Sequence, residues 1–414
     1  MASASTRKNA KPFESQLLPE DAEPLPKPWL DVPDPRVRTS WWITVFLAGV
    51  GVALSALLVF NGMRTLPKVG NVCLVLDEEF NGAGLDTSVW TREVQMDGFG
   101  NGEFEMTTDS DANSFVKDGK LFIMPTLTSD VIGRDAVLDN HVYNITGCTA
   151  AATPHNITAC SAVANATAAT VINPVMSARL HTRGSKSIRY GRVEVKAKLP
   201  KGDWMWPAIW MLPVDNKYGP WPASGEIDIV ESKGNDMEYR AQGRNYVQST
   251  LNWGPTPDLN LAWKTHDKWF QRRSSFADGF HVFTLEWTEH FLWTYVDTRL
   301  HRMLDIRAKK SFWEKGKFPV QVFNGSSVTL LKDPWAEGNN MAPFDQPFYL
   351  ILNVAVGGTN GWFPDKIGNK PWLNRDNTAM RDFALAQDTW SATWPKEPEE
   401  RAMQIEYVKM YEKC

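Results

Sequence analysis

The sequence predicts an all-β domain, a two-sheet antiparallel sandwich, preceded by one membrane-spanning helix. Three observations carry that prediction. Residues 41–60 contain no charged side chain and match the ~20 residues that a bilayer-spanning helix needs. In residues 191–199, Val193, Val195, Ala197 and Leu199 alternate with Arg192, Glu194, Lys196 and Lys198, which is the period of a half-buried strand. Short segments of strand character recur at 121–124, 206–212, 281–287, 291–297, 348–356 and 403–411, separated by Gly, Pro, Asn and Asp. No long amphipathic helical pattern interrupts them, and the spacing suits a sandwich.

Composition narrows the function classes. The chain has 414 residues, 43% apolar and 22% charged, with a formal net charge of -4. That excludes a disordered chain, a collagen and a small disulfide scaffold. A slightly acidic balance gives no electrostatic reason to expect nucleic acid as a partner. The unusual count is 19 tryptophans. Each indole N–H wants an acceptor when buried, so the surplus points either to a groove for a flat, partly apolar ligand or to an aromatic core.

Taken in order, residues 1–40 are polar and proline-punctuated, the composition of a disordered cytosolic tail. Residues 41–61 form the anchor, with Trp41 and Trp42 suited to a headgroup interface. Arg7, Lys8, Lys11, Lys27, Arg36 and Arg38 precede the span, and only Arg64 and Lys68 follow it closely. This bias predicts a cytosolic N-terminus and a single-pass type II membrane protein whose main domain is lumenal or extracellular. A cleaved signal peptide is the competing reading; the long tail before the span and the lack of a nearby small-residue cleavage site weigh against it.

After a linker, 62–70, residues 71–414 read as one domain. Sequons at Asn144, Asn156, Asn165 and Asn324 all lie beyond the span, as do Cys73, Cys148, Cys160 and Cys414. An even cysteine count in an oxidising compartment predicts two disulfides. Cys148–Cys160 would close a surface loop and Cys73–Cys414 would tie the first strand to the last residue. The stretch 145–172, rich in Ala, Thr and Asn, reads as a glycosylated insertion.

The sharpest chemical signal is Gly225-Glu-Ile-Asp-Ile-Val-Glu-Ser232. An ordinary solvated strand face explains Glu226 and Asp228 but fails at Glu231, which strict alternation turns toward the core. A one-residue bulge near Ile229–Val230 returns Glu231 to the face of the other two acids. Three acids in a row then force their pKa values apart, as glycoside hydrolysis requires of its attacking carboxylate and its proton donor. Four strand steps separate Cα atoms by ~13 Å, so both Glu side chains must lean inward to reach the ~5–5.5 Å of a retaining enzyme.

With that segment, Tyr190-Gly-Arg-Val-Glu-Val-Lys-Ala-Lys-Leu-Pro200, Trp206-Pro-Ala-Ile-Trp-Met211, His281-Val-Phe-Thr-Leu-Glu-Trp287, Leu350-Ile-Leu-Asn-Val-Ala-Val-Gly-Gly358 and Ile405-Glu-Tyr-Val-Lys-Met-Tyr411 resemble glycoside hydrolase family 16. Its members include laminarinase-type endo-β-1,3-glucanases. Trp204-Met-Trp-Pro207 and Trp221-Pro-Ala-Ser-Gly-Glu226 are similar to the branch shared with invertebrate β-1,3-glucan recognition proteins.

The resemblance implies a concanavalin A-like jelly roll with a cleft across one sheet. It implies Glu226 as nucleophile, Asp228 as its helper and Glu231 as acid/base. Trp204, Trp206, Trp210 and Trp221 would lie near them, Trp362 on a rim, and Asn101, Glu103, Arg192 and Asn353 would face the cleft. Asn252 stands where many relatives carry a His near the acid/base. Relatives also often bind a structural calcium where the first and last strands meet, near Glu78, Glu79 and Glu406.

No other metal signal is present, because the histidines lack zinc-like spacing. No redox or nucleotide cofactor is required. The reading that follows is a retaining β-glucan hydrolase, endo-β-1,3(4) in type, able to transglycosylate and acting in wall-glucan remodelling. Its rivals are a non-catalytic β-1,3-glucan-binding protein and a β-1,6-glucan assembly factor.

Overall fold

An apolar run with a good N-cap makes the first element. A computed structural model describes residues 34–150, 159–324 and 327–414, with residues 23, 26–28 and 32. The tail expected over 1–40 falls mostly outside the described residues, as does the sequon at Asn156. The helix spans Pro35–Thr65, beginning before and ending after the apolar run. The Asp34 side chain accepts from the Arg36 N–H at 2.8 Å, and Pro35 opens the first turn, where its missing N–H costs nothing. No residue of this helix is buried, and its length and composition suffice to cross a membrane. It belongs to a unit of its own, Met1–Pro67, separate from the unit Lys68–Cys414.

The second unit is the predicted sandwich. One sheet has eight strands: β1 (Val72–Glu78), β4 (Ser114–Lys117), β5 (Lys120–Ile123), β11 (Gly191–Lys198), β16 (His281–Trp287), β17 (Phe291–Val296), β18 (Arg302–Arg307) and β22 (Met403–Lys413). The other has seven: β2 (Thr91–Glu93), β10 (Arg179–His181), β12 (Met205–Pro213), β13 (Glu226–Ser232), β14 (Tyr246–Asn252), β15 (His266–Phe270) and β21 (Phe348–Val356). A small sheet joins β3 (Glu105–Thr107), β6 (Thr126–Leu127) and β9 (Val175–Ser177), and two hairpins pair β7 (His141–Asn144) with β8 (Ser161–Ala164) and β19 (Gln321–Asn324) with β20 (Ser327–Leu330).

Alternation builds the core between the two large sheets. Val193, Val195 and Ala197 of β11 and Phe283 and Leu285 of β16 face Ile209 and Met211 of β12 and Leu350, Leu352 and Val354 of β21 in one buried cluster. Their partners in alternation point outward, which frees the open face of the seven-stranded sheet for a site. Most of the tryptophan surplus serves packing. Trp90, Trp253, Trp287, Trp293, Trp372 and Trp390 are among the largest fully buried side chains. Trp287 and Trp293 give their indole N–H groups to the Phe344 carbonyl and Asp305.

Cys73–Cys414 and Cys148–Cys160 are both disulfides. The first joins β1 to the chain end alongside β22, with which β1 pairs. The second closes the β7–β8 hairpin. The expected insertion is partly structural, since Ala164 and Ile172 bury with Met96, Met106 and Met176 in a satellite core. Asn144 ends β7 and is exposed, Asn165 is exposed beyond β8, and Asn324 ends β19.

Candidate active site

Strand β13 carries the bulge where alternation failed. Glu226 and Asp228 pair with Asn252 and Thr250 of β14, then the register shifts and Glu231 pairs with Gln248. On the other side Val230 pairs with Ile209 and Asp228 with Trp210, which leaves Ile229 as the extra residue. Ile227, Ile229 and Val230 all join the core, and Glu231 returns to the open face. All three acids line one cleft of about 800 Å³, within the size range of ligand sites.

The acids are held differently. Glu226 accepts from Trp221 Nε1 at 3.0 Å and from Asn252 Nδ2 at 2.8 Å. The same Asn252 amide donates to Asp228 Oδ2 at 2.9 Å, and its own oxygen accepts from Asn260 at 2.8 Å, which fixes its orientation. Glu231 accepts from Trp206 Nε1 at 3.0 Å. Burial pushes Glu226 up to about 7, against donors that favour its ionised form and the nearby Arg179 charge. Burial, aided by the charge of Glu226, also pushes Glu231 up to about 7. Asp228, between them, is raised well above the ordinary value by burial and by both neighbours.

A protonated Asp228 can then donate to Glu226. Trp221, Asn252, Asp228 and Arg179 all favour an ionised Glu226; Trp206 and Lys233 favour an ionised Glu231, against the charges of Glu226 and Glu103. Like charges on one face disfavour ionising both, so the pair titrates as a unit and keeps one proton after losing the first. One desolvated carboxylate and one carboxylic acid on a single face make a site for nucleophilic displacement with proton delivery.

Aromatic and polar walls surround the acids. Trp206, Trp210, Trp221 and Trp362 line the cleft with Asn101, Glu103 and Asn353. Trp221 is 43% exposed, so part of its surface is open to a ligand. Trp210 donates to Asn353 Oδ1 at 2.8 Å, and Asn101 donates to Glu103 Oε1 at 2.9 Å. Indole faces suit the C–H faces of pyranoses, with amides and carboxylates at the edges for hydroxyls.

The model of Glycosyl hydrolases family 16 matches residues 150–341. A beta-1,3-glucan-binding protein of Penaeus monodon is 44% identical over 346 residues, 82% of this chain and 90% of its own length. The chain belongs to glycosyl hydrolase family 16. The glucan endo-1,3-beta-glucosidase A1 of Niallia circulans is 33% identical over 72% of this chain, which spans 36% of that relative's length. Among solved structures, the laminarinase from Rhodothermus marinus superposes with a TM-score of 0.50 at 25% identity, covering 83% of this chain and 98% of its own.

Three expectations for this family 16 chain need correction. Trp204 is not in the cleft: it is 2% exposed and packs edge-on against Tyr239, Phe363 and Trp372. It precedes β12 with φ +69°, and this turn breaks the alternation that would have put it beside Trp206. Arg192 lies on β11 of the eight-stranded sheet, paired with Glu194 at 3.2 Å and stacked on Tyr411. Asn252 stands beside the expected nucleophile and its helper rather than the acid/base, because β14 runs antiparallel and places its last residue opposite Glu226.

The acids near the expected calcium position have partners within the chain. Glu78 accepts from the Phe80 N–H at 2.8 Å and from Trp90 Nε1 at 3.4 Å. Lys409 bridges Asp77 and Glu79, and Glu406 pairs with Lys196 at 2.9 Å. Among the described residues no cluster of three metal-ligating side chains occurs.

Several lining residues escaped sequence reasoning. Arg179 lies between Phe99 and Trp210, 4.2 and 4.7 Å from the ring centroids, and pairs with Glu93. Tyr349, Gln248 and Thr250 also line the cleft. The polar members of 246–252 alternate with Val247, Ser249 and Leu251, so the pattern was available for β14. Strand β10 has only three residues, too few for a period to register.

Proposed function

We propose that this chain is a retaining β-glucan hydrolase, endo-β-1,3(4) in preference and able to transglycosylate. The observation that carries the reading is the convergence of three desolvated carboxyls on one cleft face, with Glu226 held by two donors and Glu231 by one. Glu226 attacks the anomeric carbon while Glu231 gives its proton to the departing glycosidic oxygen, and a glycosyl–Glu226 ester forms. Ionised Glu231 then takes a proton from water or from a sugar hydroxyl, which attacks the anomeric carbon and releases Glu226. Asp228 holds Glu226 and balances charge between the steps. Trp221, Trp210 and Trp206 supply faces for glucosyl rings, and Asn353 and Asn101 supply donors for hydroxyls.

The apolar helix Pro35–Thr65 supports a type II membrane protein with the cleft lumenal or extracellular, glycosylated at its sequons. Endoglycosidase-sensitive mobility together with resistance to alkaline carbonate extraction is the expected behaviour. Such a placement suits remodelling of a wall or surface glucan.

A specific observation favours a second reading, that of a non-catalytic glucan-binding protein: a relative 44% identical carries that description. Product analysis separates the two. The proposal expects reducing ends to accumulate from laminarin, with longer oligosaccharides at high acceptor, and E226Q to abolish both while retaining laminarin binding. Wild-type protein that binds laminarin without releasing products establishes the second reading.

A further inference from the structure

One buried cation beside the acids has no carboxylate partner. Lys233 follows β13 two residues beyond Glu231, and it is 8% exposed. Among the described residues it forms no salt bridge. Its ammonium instead sits 3.8 Å from the centroid of the Trp362 ring. That ring stacks on Trp206, with centroids 5.0 Å apart and planes 13° from parallel. Trp206 in turn donates its indole N–H to Glu231. Cation, two indoles and carboxyl therefore form one connected array.

The array explains two otherwise costly arrangements. A buried ammonium without a counter-ion is unfavourable unless something replaces its water, and a ring face does so through its quadrupole. Trp362 sits on the loop after β21, where its backbone N–H is held by Asn360 but its ring nitrogen has no acceptor, so the stack and the cation are the contacts that orient the ring in the cleft.

We propose that Lys233 is a positioning residue for Glu231, clamping the Trp362–Trp206 stack from which Glu231 is held and supplying the nearest balancing positive charge without contacting the sugar. The proposal rests on the catalytic reading of Glu231 only for its consequence in turnover. The charged groups around Glu231 are Glu226 and Asp228 on its own strand and Glu103 across the cleft, all acids; Arg179 acts on Glu226 and Glu103, and Lys233 is the cation that acts on Glu231. Burial, with a contribution from Lys268, lowers Lys233 to about 8. It is still charged at the pH where Glu231 titrates.

The test is a difference-infrared titration of the full-length chain in detergent, following the protonated carboxyl band that E231Q removes. Removing a nearby cation disfavours the carboxylate, so K233M is expected to raise the midpoint of that band by about one pH unit. K233R is expected to keep the native midpoint. If K233M does not fold, K233Q carries the same test. A midpoint unchanged in the neutral variant overturns the proposal, even if the melting temperature falls, because a purely structural lysine would do only that. The titration needs no turnover. An inert protein with a shifted midpoint defeats the hydrolase reading alone, and an active protein with an unshifted midpoint defeats the Lys233 assignment alone.

Discussion

Asn252 shows how much one amide does in a desolvated site. It donates to two carboxyl groups, at 2.8 and 2.9 Å, and Asn260 fixes which end of the amide faces them. Hydrogen bonds to an ionised group favour that form, so Asn252 holds Glu226 ready to lose its proton. N252A removes those donors. The Glu226 pKa then rises, and the acidic limb of kcat/KM, which reports the free nucleophile, is expected to move up by about one pH unit. A pH–rate profile of the variant against the native protein checks the shift.

The β13 bulge decides which side of the sheet the third acid occupies. Ile229 is the residue without a partner on either neighbouring strand, and it packs with Ile227 and Val230 in the core. Deleting Ile229 removes the extra residue and leaves Glu231 two steps from Asp228, on the open face by strict alternation but one step nearer Glu226. The expected cost is about 3 kcal/mol, the scale of losing one buried aliphatic side chain, read as a lower urea midpoint with the carboxyl band of Glu231 retained. Loss of that band would show that the strand absorbs the slip elsewhere. Gly191, at the start of β11, makes the same point for the facing sheet. Its φ is +135°, and a Cβ there would lie 1.9 Å from the Tyr411 carbonyl oxygen of β22. The conformation and the close strand approach both require glycine.

For the folded domain as a whole, the cleft is a store of protons. Burial raises Glu103, Glu105, Glu226, Asp228 and Glu231. Unfolded, these glutamates release protons near the ordinary 4.5, while Glu226 and Glu231 hold theirs to about 7 when folded. The folded state therefore binds more protons across that window, and the associated stability, full below it, is lost as pH rises through it. The melting temperature is expected to be higher near pH 5 than near pH 8, and E226Q and E231Q should each flatten the slope. Thermal melts across that range test it. A stability that rises with pH would mean that the cleft carboxyls are ionised in the native state.

Local rules made the sandwich legible. Strict alternation located β11, because a strand buried on one face writes its period into the chain, and short segments of strand character located β5, β12, β16, β17, β21 and β22 to within a residue or two. The failure of that same period at Glu231 located the bulge. Short strands such as β10 were illegible, since three residues carry no period, and so Arg179 was missed. Trp204 was misplaced because a positive φ at one residue reverses a side chain without changing the sequence pattern. The amino-acid order alone determined the apolar helix, the two-sheet class, the cysteine partners and the row of acids, all of which follow from spacing and polarity along the chain. Tertiary packing alone decided which indoles line the cleft, that Asn252 serves Glu226, and that Lys233 lies behind Trp362. Those contacts join residues from different strands and loops, and their chemistry depends on a desolvation that exists only once the sheets have closed on each other.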